Sequence, residues 1–249
     1  RLFFTVVARM FDEIGEVFTQ INDDPTVRVV VLTGNGKHFT AGLDLSSPVG
    51  LMSLEAKEVS RRALDIRKNV IALQDSFTAI EKAQQPVIAA IHGVCYGAGI
   101  DVISACDIRY ASKDVRFSIK EIDVGLVADV GTFPRILHLT GNDSLLRELS
   151  YTGRELKADE ALRFGLISRI FDSKTTVQEA ARKLAKEIAE KSPIALIGIK
   201  KILNYSRDHS VSDTLDYVTV WNQAMLQSED MRESIVAFMG KRKPVYSKL

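Results

Sequence analysis

The sequence predicts an α/β fold with a helix-rich C-terminal third. Three observations carry this. β-branched runs alternate with amphipathic stretches through the first two thirds of the chain, the pattern of strands interleaved with helices. Two of the apolar runs, 27–33 and 86–92, each lead into a glycine-bearing turn. Beyond Asp129 the apolar residues recur mostly at helical spacing.

Taken in order, residues 9–21 set Met10, Ile14, Val17, Phe18 and Ile21 on one helical face, and Asn22-Asp23-Asp24-Pro25 ends that helix. Val27 to Thr33 is β-branched and reads as a buried strand. Residues 34–50 form a loop bearing Gly, Ser and Pro, and 53–83 carry one long helix or two. Pro86 to His92 is a second buried strand, followed by the turn Gly93-Val-Cys-Tyr-Gly-Ala-Gly99 and an apolar helix ending near Cys106. Residues 108–111, 115–119 and 167–171 read as short strands, and 142–150, 157–164, 176–190, 193–206 and 210–239 as helices.

Composition narrows the class. The 249 residues are 46% hydrophobic and 26% charged, which excludes a disordered or collagenous chain. A folded chain of this size buries roughly 70% of its extended surface. Lys plus Arg total 33 against 32 Asp plus Glu, so no basic field marks a nucleic-acid binder. The most apolar stretch, Val87 to Cys106, is broken by His92, three glycines and Asp101, so no membrane span is expected. Cys95 and Cys106 sit among apolar neighbours and read as core thiols; no metal-ligand spacing is present.

Chemistry could gather at the two turns, Phe39-Thr-Ala-Gly-Leu-Asp-Leu45 and Gly97-Ala-Gly-Ile-Asp101. Glycine lets a ligand approach the backbone closely, and a helix start offers free N–H groups. Two such turns brought together could aim two amides at one oxygen, the requirement for holding an oxyanion. Similar pairs of turns also occur as plain structure. Gly93, Gly97 and Gly99 do not form a dinucleotide fingerprint, and no P-loop Lys follows. Three acids lie nearby in sequence. Asp101, just inside a helix, is a site residue or a partner of the helix dipole. Glu121 and Asp129 flank the apolar run 122–128, so each lies on a turn or is buried for proton transfer.

Gly36-Lys-His-Phe-Thr-Ala-Gly-Leu-Asp-Leu45 and the segment Pro86 to Tyr110 resemble the two signatures of the enoyl-CoA hydratase/isomerase (crotonase) superfamily. Phe117 to Arg135 and Thr152 to Ile167 extend the resemblance, which covers residues 9–240 by order and spacing. It implies a spiral of ββα units, with a core over 1–190 and a C-terminal helical region over 191–249 that drives trimer or hexamer formation. It implies an acyl-CoA thioester as substrate and no separate cofactor. By position, the Leu43 and Ala98 amides would hold the thioester oxygen, with Ala41, Gly42 and Gly97 lining the substrate. Many relatives have Gly where Ala98 stands.

Hydratases of the family typically use two glutamates, at the positions of Asp101 and Glu121, and have no acid at Asp129. The set Asp101, Glu121 and Asp129, with Val124-Gly-Leu-Val-Ala-Asp-Val-Gly131 and Tyr205 to Trp221, resembles the family's dienoyl-CoA isomerases instead. Shifting two conjugated double bonds removes a proton at one carbon and returns one several carbons away, which suits two carboxylates along an extended chain. The implied roles are Asp129 as base next to the thioester, Glu121 as acid at the far end, and Asp101 tuning both. Rival readings are a 2-enoyl-CoA hydratase, a Δ3,Δ2-enoyl-CoA isomerase, or a non-catalytic member that binds RNA or a protein.

At the ends of the chain, relatives begin with strands that residues 1–7 only partly supply, so the first ββ unit reads as truncated. Ser247-Lys248-Leu249 matches a peroxisomal address read by the import receptor. It predicts a peroxisome or a related organelle such as a glycosome, with mitochondrial targeting an open alternative. His92, His209 and Trp221 read as packing residues and His38 as a loop residue. Lys200-Lys201 and Lys241 to Lys243 are candidates for CoA phosphates.

Overall fold

The computed structural model describes residues 8–44 and 58–249. Residues 1–7, the end of the first loop (45–50) and the start of the long helical stretch (53–57) lie outside them. Among the described residues the order is α1 (Ala8–Asp23), β1 (Val30–Thr33), α2 (Val59–Lys82), β2 (Val87–Ile91), β3 (Val94–Tyr96), α3 (Ala98–Ala105), β4 (Ile108–Ser112) and β5 (Arg116–Ser118). A 3₁₀ turn (Lys120–Val124) leads to α4 (Thr132–Leu139), α5 (Asp143–Thr152), β6 (Leu156–Lys157), α6 (Ala158–Phe164) and β7 (Arg169–Phe171). The chain closes with α7 (Lys174–Ala189), α8 (Pro193–Tyr205), α9 (Val211–Met225) and α10 (Glu229–Met239).

Two sheets organise the core. One runs β1-β2-β4-β7 with every pairing parallel; the other runs β3-β5-β6. The unbroken apolar run of β2 follows from its place at the centre of the first sheet, covered on both faces. Val87, Ala89 and Ile91 join the main core with Phe77 and Ile80 of α2 and Phe11 and Phe18 of α1. Ile88 and Ala90 point the other way, onto Val177 and Ala181 of α7. The period-2 alternation thus sorts one strand between two helical layers. The Phe11 and Phe77 rings stack at 4.8 Å, fixing α1 against α2.

Several elements differ from the sequence reading. Val94–Tyr96, expected as part of a turn, is a strand: it pairs with β5, and Thr40 bridges to Cys95 on its other side. Three residues give too short a run for alternation to show. The helical stretch 210–239 is two helices, because Ser228 caps a new start, its hydroxyl accepting the Met231 N–H. Leu156–Lys157 is a short strand before α6.

The C-terminal helices attach to the core through charge as well as apolar contact. Lys200 on α8 is 7% exposed, and its ammonium donates to Asp107 Oδ2 at 2.8 Å and to the Gln85 carbonyl at 3.0 Å. Glu81 on α2 lies between Arg135 of α4, at 3.0 Å, and Arg207 beyond α8. The far side of this region is open: Leu215, Val220 and Phe238 are 61%, 64% and 85% exposed.

Candidate active site

The first glycine turn is laid along β3 by main-chain bonds. The Thr40 amide donates to Val94 O at 3.0 Å, and the Tyr96 amide donates to Thr40 O at 3.2 Å. The second turn leaves the end of the same strand, its Gly97 amide bonded to Ser118 O of β5 at 3.0 Å. Both turns therefore issue from one point of the second sheet. Gly42 has φ 92° and Gly97 φ 51°, conformations that favour glycine. They face each other: a Cβ on Gly97 would lie 3.7 Å from Gly42 Cα and 3.3 Å from Glu121 Oε1. Ala98 is the first residue of α3, so its N–H has no acceptor within the helix. Leu43 follows Gly42 and packs its side chain on the core; Ala41 is half-buried beside them.

The three acids meet around these turns. Asp101, in the first turn of α3, is 1% exposed. Its Oδ1 accepts from the Thr132 amide at 2.7 Å and the Thr132 hydroxyl at 2.8 Å, while Oδ2 is buried with no protein partner. Burial pushes its carboxyl up to about 6; the Thr132 bonds oppose this, nearby Asp129 adds to it and Arg135 opposes it. Glu121, in the 3₁₀ turn after β5, is half-buried with Oε2 unpartnered. Burial raises it to about 7, its own backbone amide opposes the shift, and the charges of Asp101 and Asp129 add to it.

Asp129 resolves the alternative left by sequence: it lies on an exposed turn before α4 and is not buried. That turn is tied to α2, where Gln74 Nε2 donates to Asp129 O at 2.6 Å. Asp129 forms part of the wall of an open groove of about 1270 Å³, together with Gln74, Thr78, Val127, Arg135 and Tyr205. Two titratable groups lifted toward neutrality beside a third carboxylate and two close-packed glycine turns are an arrangement suited to moving protons at an activated carbonyl compound.

Thr132 and Gln74 went unnoticed in sequence. A threonine after a glycine at a helix start reads as a helix signal, and a glutamine within an amphipathic helix reads as surface. Lys200 is a correction: its buried ion pair with Asp107 removes it from the candidates for phosphate binding. Lys201 lies over the Trp221 ring at 5.4 Å, and Lys243 pairs with Glu190 at 3.1 Å. His92 is a core histidine, its Nε2 3.0 Å from Gly36 O and its basicity lowered by burial. His38 Nδ1 accepts the Val94 N–H at 3.2 Å, so this loop residue also braces β3. Both cysteines are buried and free, with burial pushing the Cys106 thiol up to about 12. Among the described residues no group of His, Cys, Asp and Glu could hold a metal ion, and no helix is long and apolar enough to cross a membrane.

This fold and this cluster define a class. The enoyl-CoA hydratase/isomerase family model matches residues 5–248, and the chain belongs to that family. Among curated relatives, it is 48% identical over 231 residues to the mouse protein named Delta(3,5)-Delta(2,4)-dienoyl-CoA isomerase, mitochondrial, covering 92% of this chain and 71% of that one. It is 42% identical over 241 residues to the Arabidopsis thaliana protein named Delta(3,5)-Delta(2,4)-dienoyl-CoA isomerase, peroxisomal, covering 96% and 86%. Among solved structures, the enoyl-CoA hydratase from Bacillus anthracis superposes with a TM-score of 0.86 at 29% identity, covering 97% of this chain and 90% of that one. The crotonase fold is thus the architecture of this chain.

Proposed function

We infer that this chain is an isomerase that converts a 3,5-dienoyl-CoA thioester to the 2,4-dienoyl isomer, a reaction of fatty-acid β-oxidation. The single observation that carries the reading is the set of three acids at one pair of glycine turns, in a chain 42–48% identical to dienoyl-CoA isomerases. The substrate thioester oxygen is received by the Leu43 and Ala98 amides, with Ala41, Gly42 and Gly97 alongside. Asp129 removes a proton from the carbon between the thioester and the diene. The electron pair shifts toward the thioester oxygen, giving a dienolate that the two amides stabilise. Glu121 then returns a proton to the far carbon of the diene, and the double bonds settle one position nearer the thioester. Glu121, with its carboxyl raised to about 7, retains a proton under conditions where an ordinary glutamate has lost it. No cofactor enters this scheme; CoA is part of the substrate.

The relatives' printed names place those proteins in mitochondria or peroxisomes. The C-terminal Ser247-Lys248-Leu249 favours import into a peroxisome through its receptor for this chain. The open apolar side of α9 and α10 favours a homotrimer or hexamer.

The direct test is spectrophotometric. Purified protein is mixed with a 3,5-dienoyl-CoA and the near-ultraviolet absorbance of the conjugated 2,4-dienoyl thioester is followed, with a 2-enoyl-CoA in a parallel cuvette to detect hydration. The expected result is isomerisation, lost by about 10²-fold or more in Asp129→Asn with KM largely kept. Hydration without isomerisation would assign the chain to the hydratases.

A further inference from the structure

Thr132 holds a place that this scheme leaves without a task. It is fully buried at the start of α4. Its amide and its hydroxyl both donate to the same atom, Asp101 Oδ1, at 2.7 and 2.8 Å. The other oxygen of that carboxylate is buried and bare. Glu121, the neighbouring acid, likewise has a buried Oε2 with no protein partner. Of two close, desolvated carboxyls, one is served by two convergent donors from outside its own helix.

We infer that Thr132 is a positioning residue that fixes the negative charge of the Asp101–Glu121 pair on Asp101 and so leaves the proton on Glu121, the group that must donate it. The inference deepens the isomerase reading and rests on it. Carboxylates packed together do not all ionise over the same pH range, and N–H or O–H donors favour whichever one they reach. The groups facing Asp101 from other directions do not decide the matter against this. Asp129, on the turn before α4, opposes its ionisation and Arg135 of α4 favours it, while the charge of Asp101 in turn raises Glu121 on the 3₁₀ turn. Cys95 of β3 stays a neutral thiol, because burial holds it well above its ordinary range. Burial raises both carboxyls, Asp101 to about 6 against the pull of the two Thr132 bonds and Glu121, which lacks those donors, to about 7. Because the two titrate as a coupled pair, removing one donor from Asp101 redistributes the shared proton between them.

Thr132→Val keeps the shape and the backbone amide and removes the hydroxyl; Thr132→Ser keeps the hydroxyl and removes the methyl. The proteins are labelled with carboxyl ¹³C in Asp and Glu, and the Asp101 and Glu121 signals are titrated in the free enzyme. The wild type should ionise at Asp101 first. In Thr132→Val the two midpoints should converge or cross, with Glu121 moving down by about half a pH unit or more. Isomerisation by Thr132→Val should fall about tenfold in kcat with KM within about twofold, and Thr132→Ser should recover most of the loss. In an Asp101→Asn background, Thr132→Val should leave the Glu121 midpoint unmoved. Unshifted midpoints in Thr132→Val, or Thr132→Ser as impaired as Thr132→Val, would overturn the inference. The titration needs no turnover, so a wild-type protein inert toward 3,5-dienoyl-CoA would overturn the isomerase reading while the carboxyl order was still measured.

Discussion

Glu121 is the residue whose environment has the sharpest consequences. Burial and two like-charged neighbours raise its carboxyl to about 7. A proton donor of this kind fails as pH rises through that value, so kcat/KM for isomerisation should decline on the alkaline side of about pH 7. A pH–rate profile checks this, and Glu121→Gln should lower kcat by about 10² or more below about pH 7, where the wild type keeps the proton, with the gap narrowing at higher pH. The same shift acts on stability. The folded state holds this proton more tightly than the unfolded chain, so its contribution is complete at low pH and is lost as pH rises from about 4.5 through about 7. Glutamine has no such charge to bury. Glu121→Gln should therefore melt at a higher temperature than the wild type at pH 8, by the equivalent of about 1–3 kcal/mol, with the difference shrinking by pH 5. Calorimetry at the two pH values measures it. The acid proposed to donate the proton near neutrality thus destabilises its own fold there.

At the scale of elements, the site depends on β3 and the two turns at its end. Gly97→Ala would force a side chain into a φ of 51° and bring its methyl to 3.3 Å from Glu121 Oε1. We expect a loss of about 1–2 kcal/mol in stability and a larger loss in turnover, because the acid as well as the turn must move; urea unfolding and the diene assay separate the two. Much of this was legible in sequence. β1 and β2 of the parallel sheet announce themselves as β-branched and apolar runs, and β2 reads as buried because α7 and the main core cover opposite faces. The glycines mark the turns. What stayed hidden was of two kinds. Val94–Tyr96 is too short to show a period, and its strand character comes from Thr40 and β5 on either side. The exposure of Asp129 was hidden because a run such as Val127-Ala-Asp-Val130 looks the same on a turn as in a core, and its tie to Gln74 comes from 55 residues away. The grip of Thr132 on Asp101 spans 31 residues, beyond any local pattern.

For the whole molecule, the charged attachment of α8 and the open apolar side of α9 and α10 belong together. Lys200→Met should cost about 2–4 kcal/mol, since it removes the buried ammonium from two main-chain carbonyls and leaves the Asp107 carboxylate with the Val87 N–H but no countercharge from α8; thermal melting of the variant gives the figure. If the proposed trimer or hexamer covers Phe238, Val220 and Leu215, light scattering should find a mass of three or six protomers. A strict monomer would contradict that assembly. The pair of turns has a wider consequence. The amides that would bind the substrate oxygen belong to the main chain, and point substitution cannot delete them. The acids proposed to select the reaction are three separate side chains on three separate segments. Recognition of the activated acyl group and choice of product are thereby divided between backbone and side chains. On that proposal, one exchange on the exposed turn would redirect the chemistry while the anchor for the acyl group stays as it is, so new reactions could be sampled without rebuilding the scaffold.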